Sequence, residues 1–377
     1  MKIFVPNESA TGETRVALVP GVLRRLILPG IEVLIESHAG VLSAHNDDAY
    51  SAAGATIVFA DEWTNADVVL TVGMPSESQI RQMRSGAVLA GLLSPHRNIP
   101  LIAIAAQCGI IALALEYLPR ITRAQAMDAL SSQANIAGYK SVIIAAEHSP
   151  RIFPMLMTAA GTIQPAKTLI IGAGVAGLQA IATARRLGAL VSAYDVRPAV
   201  KEQVQSLGAK FVELPLETAS AQDAGGYARE LSPEQQQKQR DLMARVVIDS
   251  DVVITTAAIP GKPAPKLIPD DVVARMHRGA VIVDLAAESG GNCQSTEPGR
   301  IIEKNGVTIV GLTNVAGTAP FHASQMYANN LVNLMKLILT ADAGLKIDPA
   351  DEIIAGILLC QGGGIVHPRI KEVQNHA

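Results

Sequence analysis

Residues 168–195 read TLIIGAGVAGLQAIATARRLGALVSAYD. Thr168–Ile171 is a short apolar run of the kind that forms a buried strand. Gly172, Gly174 and Gly177 follow as G-x-G-x-x-G. An alanine-rich helix is predicted up to Arg185-Arg186 with Gly188 as its stop, and a second strand, Leu190–Tyr194, ends in Asp195. Each part suits a dinucleotide: the first glycine permits the tight turn, the second lets backbone approach a pyrophosphate, and the third lets helix and strand pack closely. The N–H groups that open the helix, at Val175 and Ala176, offer partial positive charge to the phosphates. Asp195, a little over twenty residues past the first glycine, is placed to accept the ribose hydroxyls of NAD and to repel the extra phosphate of NADP. Val196 and Arg197 beside it are expected cofactor contacts, although the Arg197 charge pulls toward NADP. A G-x-G-x-x-G alone is a weak signal. The strand before it, the helix after it and the acid at the tip of the second strand separate this one from an ordinary glycine turn with a solvated aspartate.

At 377 residues the chain is too long for one ordinary domain, so two are expected. Hydrophobic residues make up 49% and aromatics only 3%, a balance tilted toward alanine that suits helices packed closely on sheets. The formal net charge is −3 and no run of Lys or Arg stands out, which argues against nucleic acid as a partner. Cys108, Cys293 and Cys360 are scattered, form no CxxC pair and fit a reducing cytosol. The eight histidines show no HExxH or other metal spacing, so no metal is expected. Met1 leads directly into a strand without a signal peptide. The longest apolar run, Leu101–Leu118, is interrupted by Gln107, Cys108, Gly109 and Glu116 and reads as a short helix followed by a buried strand. No direct membrane insertion is expected.

The first third alternates strands (Lys2–Val5, Glu32–Ile35, Thr56–Val58, Val68–Val72, Ala87–Leu92, Ile110–Leu115) with helices (Pro20–Leu28, Asp47–Ala53, Ser76–Met83, Pro100–Gln107). Such alternation demands right-handed crossovers and a parallel sheet. Ala134–His148 reads as a helix bridging to a second domain. After Asp195 come a helix (Ala199–Leu207), a strand (Lys210–Glu213), a polar stretch (Thr218–Pro233) read as an exposed loop, and a polar helix (Glu234–Asp249). Strands Val252–Thr256, Ala280–Leu285 and Thr308–Leu312, with a helix at Asp270–Met276, complete that domain. His322–Leu339 reads as a helix returning to the first domain, and Ile353–Val366 as a terminal hairpin or strand pair packed there. The predicted class is α/β, with two doubly wound parallel-sheet (Rossmann-like) domains joined by long helices and a cleft between them. Residues 1–135 plus 320–377 form the first domain, and 136–319 form the NAD(H)-binding domain.

Within Pro119–Gln133 (PRITRAQAMDALSSQ), Gln125, Asp128 and Ser131 fall at three-residue intervals, roughly one face of a helix, with Arg120 close by. A guanidinium, an amide, a carboxylate and a hydroxyl together suit a nicotinamide carboxamide, which needs donors and acceptors. Read locally, Thr122-x-x-Gln125 is equally a capping box with a solvated stripe after it. Tyr227, in DAGGYARE, is either an aromatic closing over a flat cofactor or a tyrosine half-buried at a loop base. Ala257, Ile259 and Pro260 lead into PGKPAP after a strand, on the side of the sheet where ligands sit in such folds; a rigid proline turn is the other reading.

Together, GAGVAGLQAIATARRLGA, PRITRAQAMDALSSQANIAGY, GGYA, IPGKPAPKLI and DLAAESGGNC resemble the NAD(H)-binding first domain of the proton-translocating NAD(P) transhydrogenases, in their alpha subunit. The likeness runs from Lys2–Val19 almost to the end and is weakest in the tail. PRITRAQ…D…SS is its most specific piece, because it separates this branch from the sister alanine dehydrogenases. The resemblance implies that Arg120, Gln125, Asp128 and Ser131 surround the nicotinamide, that Tyr227 lies on a mobile loop closing on NAD(H), and that Asp195 holds the adenosine ribose. It implies NAD(H) here and NADP(H) on a partner domain, with direct hydride transfer between them. It further implies a homodimer that assembles with an NADP(H)-binding domain and membrane-spanning proton-channel subunits, cytoplasmic and peripheral at the inner membrane.

The sequence departs from that pattern in places. Thr71-Val72-Gly73-Met74-Pro75 occupies a strand end where alanine dehydrogenases carry a substrate lysine. Gly91 stands about where they have a catalytic histidine, and Ala316 and Thr318 replace a proline and an arginine. A stand-alone alanine dehydrogenase-like enzyme and a non-catalytic NAD(H) redox-sensing module are the rival readings.

Overall fold

The computed structural model describes residues 1–59, 62–213, 243–258 and 262–376. Contacts divide the chain into two units, Met1–Gln133 with Gly317–Ala377, and Ala134–Ala316. In the first unit, β1 (Lys2–Val5), β2 (Glu32–Glu36), β3 (Thr56–Val58), β4 (Val68–Leu70), β5 (Val88–Gly91) and β6 (Ile111–Ala114) are mutually parallel in the order β6-β5-β4-β1-β2-β3. The order reverses between β1 and β4, so the chain winds outward both ways from that point. These strands are almost uninterrupted aliphatic runs because both faces are covered. Ile3, Val5, Leu70 and Val88 meet Tyr327, Leu331 and Met335 of the helix Pro320–Ile338 on one face. Phe4, Val69, Leu89 and Ala112 meet Trp63, Ile80 and Ile102 on the other. The tail adds Leu358–Gln361 antiparallel to β6 and then Gly364–Ile365 antiparallel to that strand, after a short helix, Glu352–Ile357.

The second unit opens with the exposed hairpin β7 (Leu156–Thr158) and β8 (Gly161–Ile163). Its sheet contains β9 (Lys167–Ile171), β10 (Leu190–Tyr194), β11 (Lys210–Phe211), β12 (Val252–Thr255), β13 (Val281–Asp284), β14 (Ile301–Lys304) and β15 (Val307–Val310). Their order is β11-β10-β9-β12-β13-β15-β14, all parallel except the edge strand β14. Ile170, Val191, Ile254 and Val283 pack on one face with Ile181, Ala184 and Val142. Leu169, Val253 and Ile282 pack on the other with Met243, Val247 and Val273. Both units are thus Rossmann-like, as the βαβ alternation predicts.

Several elements differ from the sequence expectation. The helix at Pro20 stops at Leu23, and Asp270–Met276 is helical only over Asp270–Val273. The expected Lys210–Glu213 strand narrows to Lys210–Phe211. The hairpin β7–β8 and the edge strand β14 are additions to the expected elements. Of the polar helix Glu234–Asp249, residues 243–248 are helical, while the loop Thr218–Pro233 lies outside the described residues. The run Leu101–Leu118 is the helix Ile99–Gln107 followed by β6, as expected, and no helix among the described residues is long and apolar enough to cross a membrane. Cys360 donates to the Ile110 carbonyl at 3.3 Å, Cys293 is buried, and burial pushes both thiols up to about 11; Cys108 is half-buried.

Candidate dinucleotide site

The turn after β9 is shaped by what its glycines leave out. Gly172 has φ +95°, a region costly for any side chain, and a Cβ there would collide with the Thr256 hydroxyl. A Cβ on Gly177 would stand 2.8 Å from the Gly172 carbonyl carbon and closer still to its oxygen, so helix and turn touch only because both lack side chains. Gly174 differs. It is extended, begins the twelve-residue helix Val175–Arg186, and a Cβ on it would enter open space. That open space beside a helix N-terminus is where a pyrophosphate would be accommodated, and the chemistry of the turn fits the group. Gly138, on the helix Ala129–His148, fits against the same turn, since a Cβ there would stand 2.9 Å from the Ala176 carbonyl carbon.

At the end of β10 Asp195 is buried and tied to the turn. Its Oδ2 accepts the Ala173 N–H at 2.8 Å and Arg197 Nη2 at 2.9 Å, while Oδ1 accepts the Arg197 N–H and Nε, each at 2.9 Å. Ala257 is held from both sides by the fully buried Asn292, whose Oδ1 accepts the Ala257 N–H at 3.0 Å and whose Nδ2 donates to its carbonyl at 2.8 Å. The loop bearing Asn292 is organised by buried Asp284, which accepts from Thr255 Oγ1, the Ala286 and Cys293 N–H groups and Thr296 Oγ1. The sequence marks DLAAESGGN as a motif without assigning a role to these positions. Gly172, Gly174, Gly177, Val175, Ala176, Asp195, Val196, Arg197 and Ala257 all belong to the second unit. Tyr227, Ile259 and Pro260 lie outside the described residues.

Arg120, Gln125 and Asp128 belong to the first unit together with Ser131, and here the local structure corrects the sequence reading. Thr122–Met127 is a 3-10 turn, its leading residue is Ile121, and no side chain caps it, so the capping box does not form. Nor do Gln125, Asp128 and Ser131 share a helix face, because the α-helix begins only at Ala129. Asp128 caps that helix: Oδ1 accepts the Ser131 N–H at 2.8 Å and Oδ2 the Ser131 hydroxyl at 2.5 Å. Buried Asn330 spans the break, donating to the Ala126 carbonyl at 3.0 Å and accepting the Ser132 hydroxyl at 2.7 Å. Gln125 and Arg120 are exposed.

Side chains occupy the carboxyl ends of the central strands of this unit. Glu8, after β1, accepts the N–H groups of Val72 and Gly73 at 2.7 and 2.8 Å. Burial pushes its carboxyl up to about 7, against the pull of those two bonds. Glu116, after β6, accepts the Ser94 N–H after β5, and burial pushes it up to about 7 as well. Tyr327 donates to the Thr71 carbonyl at 2.7 Å. A Cβ on Gly91 would stand 2.6 Å from the Thr71 carbonyl oxygen and 2.7 Å from its hydroxyl, so no side chain fits there. Burial works against the Arg15 charge, yet its pair with Glu13 holds the guanidinium above its usual range. Arg15 also donates to Gln133 Oε1 at 2.9 Å. Sequence reasoning assigns no role to Glu8, Glu13, Arg15 or Asn330; three charges in the otherwise apolar KIFVPNESATGETRVALV are the available signal.

Fold and turn together define an α/β protein of two Rossmann-like units, one bearing a dinucleotide fingerprint. The family models described as alanine dehydrogenase/PNT, N-terminal domain and C-terminal domain, match residues 4–137 and 141–368. In Rhodospirillum rubrum the NAD(P) transhydrogenase alpha subunit is made in parts, and the first of them is 47% identical over 379 residues, covering 98% of this chain and 99% of its own. A crystal structure of transhydrogenase from Sinorhizobium meliloti superposes with a TM-score of 0.86 at 44% identity, over 98% of this chain and 100% of that one. An L-alanine dehydrogenase structure superposes at 0.83 with 27% identity, over 100% and 99% of the two chains. The chain belongs to the alanine dehydrogenase/PNT family, in its NAD(P) transhydrogenase alpha-subunit branch, and is an oxidoreductase.

Proposed function

We propose that this chain binds NAD(H) in its second unit and exchanges a hydride directly with NADP(H) held by a partner domain, coupled to proton movement by membrane-spanning partner subunits. The observation that carries the reading is the fingerprint turn, where Gly174 faces open space at a helix start and Asp195 is fixed at the end of the next strand. The filled strand ends of the first unit argue in the same direction, because Thr71 takes the space at Gly91 where an oxo-acid dehydrogenase would need an acid. When bound, the coenzyme supplies a hydride at the nicotinamide C4. In this reading the N–H groups from Gly174 to Gly177 bind the pyrophosphate, and Asp195 orients the adenosine ribose. Arg120, Gln125, Asp128 and Ser131 orient the nicotinamide, with Ala257, Ile259, Pro260 and Tyr227 as further contacts. Hydride exchange between two nicotinamides moves no proton at either carbon, so these groups need only hold the reacting carbons about 3–3.5 Å apart and exclude water.

The same reading makes the chain a homodimer, peripheral at the cytoplasmic face of the inner membrane. Support for the dimer comes from the apolar side chains displayed by the β7–β8 hairpin, of which Met157 is 75% and Ile163 50% exposed.

Single-turnover mixing of the NADH-loaded chain with an NADP+-loaded NADP(H)-binding domain of a transhydrogenase tests the reaction. Transfer is expected with that domain, and none to pyruvate plus ammonia without it. Gln125→Asn is expected to hold NADH within a few-fold while transfer falls about a hundredfold, since small misplacement of reacting groups has that effect. Steady oxidation by pyruvate and ammonia would replace the proposal with the alanine dehydrogenase reading, and NADH binding with neither transfer would replace it with the redox-sensing one.

A further inference from the structure

The Asp195 carboxylate has no acceptor capacity to spare. A carboxylate offers about four lone-pair sites. All are met here: the Arg197 N–H and Nε on Oδ1, the Ala173 N–H and Arg197 Nη2 on Oδ2, at 2.8–2.9 Å. The pair is well shielded, with side chains 15% (Arg197) and 5% (Asp195) exposed. The two backbone bonds set the orientation of the carboxylate and belong to the fold of the turn. The two guanidinium bonds belong to a side chain that can turn away.

A ribose diol needs the oxygens that the guanidinium now occupies. A ribose 2′-phosphate needs a cation, and the guanidinium is the group that would meet it. We propose that Arg197 is the residue that sets the choice between NAD(H) and NADP(H), acting as a displaceable latch on Asp195. Paired, it shuts the carboxylate against the diol and cancels the charge that would repel a phosphate. Turned outward, it frees the carboxylate for NAD(H), and the same outward guanidinium is the anchor available to the phosphate of NADP(H). Asp195 alone therefore does not define the selectivity. This inference rests on the reading that Asp195 faces the adenosine ribose.

The test is equilibrium binding, with no turnover involved. NADH is titrated into the full chain by calorimetry, and NADPH is measured as its competitor, for the parent, Arg197→Ala, Arg197→Met and Asp195→Ala. Arg197→Met keeps the side-chain stem, and melting curves identify any variant that fails to fold. Arg197→Ala and Arg197→Met are expected to weaken NADPH at least tenfold while NADH stays within threefold or tightens. A ratio within twofold of the parent in both variants would overturn the proposal, as would NADPH that fails to compete with NADH on the parent at millimolar concentration. The reading beneath it fails separately: if Asp195→Ala leaves NADH affinity unchanged, Asp195 is not the ribose acceptor, whatever Arg197 does.

Discussion

At the carboxyl end of β9 the chain places Gly172, Gly174 and Gly177; at the carboxyl ends of β1, β4, β5 and β6 it places Glu8, Thr71, Ser94 and Glu116. Both sheets are doubly wound, so each presents a strand-end face of the kind that receives ligands. In the second unit the side chains withdraw, and backbone N–H groups open onto free space at Gly174. In the first unit the side chains advance, and Glu8 and Glu116 satisfy the backbone N–H groups of Val72, Gly73 and Ser94 internally. Architecture supplies the position of a site, and a handful of side chains at the strand ends determines whether anything can enter.

The sharpest break in this comparison lies within the fingerprint itself. Gly177→Ala forces a Cβ into the Gly172 carbonyl and is expected to destabilise the second unit by ~4 kcal/mol or to prevent folding. Gly174→Ala adds its methyl to open space, so its melting temperature should match the parent while NADH affinity falls at least tenfold. Equal loss of stability in both, read by thermal denaturation, would mean that the two glycines do the same work.

In the first unit the buried carboxyls give the strand ends a pH dependence. The folded Glu8 carboxyl titrates at about 7 against an ordinary 4.5, so between those values the native state holds a proton that the unfolded chain has lost. Stability from this group is therefore full below 4.5 and is lost as pH rises through 7, by an amount on the order of 3 kcal/mol. Glu8→Gln is expected to flatten that fall in urea denaturation series between these pH values, and Glu116→Gln to act in the same direction. An unaltered slope in the double variant would locate the pH dependence elsewhere.

The smallest effect concerns Asp128, which closes a helix in the first unit as the glycines open one in the second. Asp128→Ala should lower stability by ~1 kcal/mol, the usual loss for a missing cap, and Asp128→Ser should restore most of it. If both variants melt like the parent, the bonds to Ser131 carry no stabilisation.

The parallel strands are legible in the sequence because each is an aliphatic run bounded by turn residues, and the fingerprint because strand, glycines, helix and acid fall in fixed order. Other features are decided by geometry that spacing does not encode. Thr122 and Gln125 have the spacing of a capping box, yet the backbone there is a 3-10 turn, and the true cap lies six residues further on, at Asp128. The β7–β8 hairpin is hidden because both strands are exposed throughout and no alternation marks them. The edge strand β14 does carry a signal: Asn305-Gly306, with φ of 55° and 80°, is the two-residue turn that joins Lys304 to Val307. The Arg197 latch on Asp195 is invisible as a contact, since the two residues are close in sequence whether or not they pair.

The buried cysteines fall one to each unit, Cys360 in the first and Cys293 in the second. A thiol reacts as its thiolate, and burial has suppressed that form in both. An alkylating reagent at neutral pH would therefore modify half-buried Cys108 promptly and reach the other two only when the surrounding structure opens. The rates at Cys360 and Cys293 then become two independent clocks in one polypeptide, reporting how often each unit breathes. Saturating NADH should slow the Cys293 clock and leave the Cys360 clock running at its own pace.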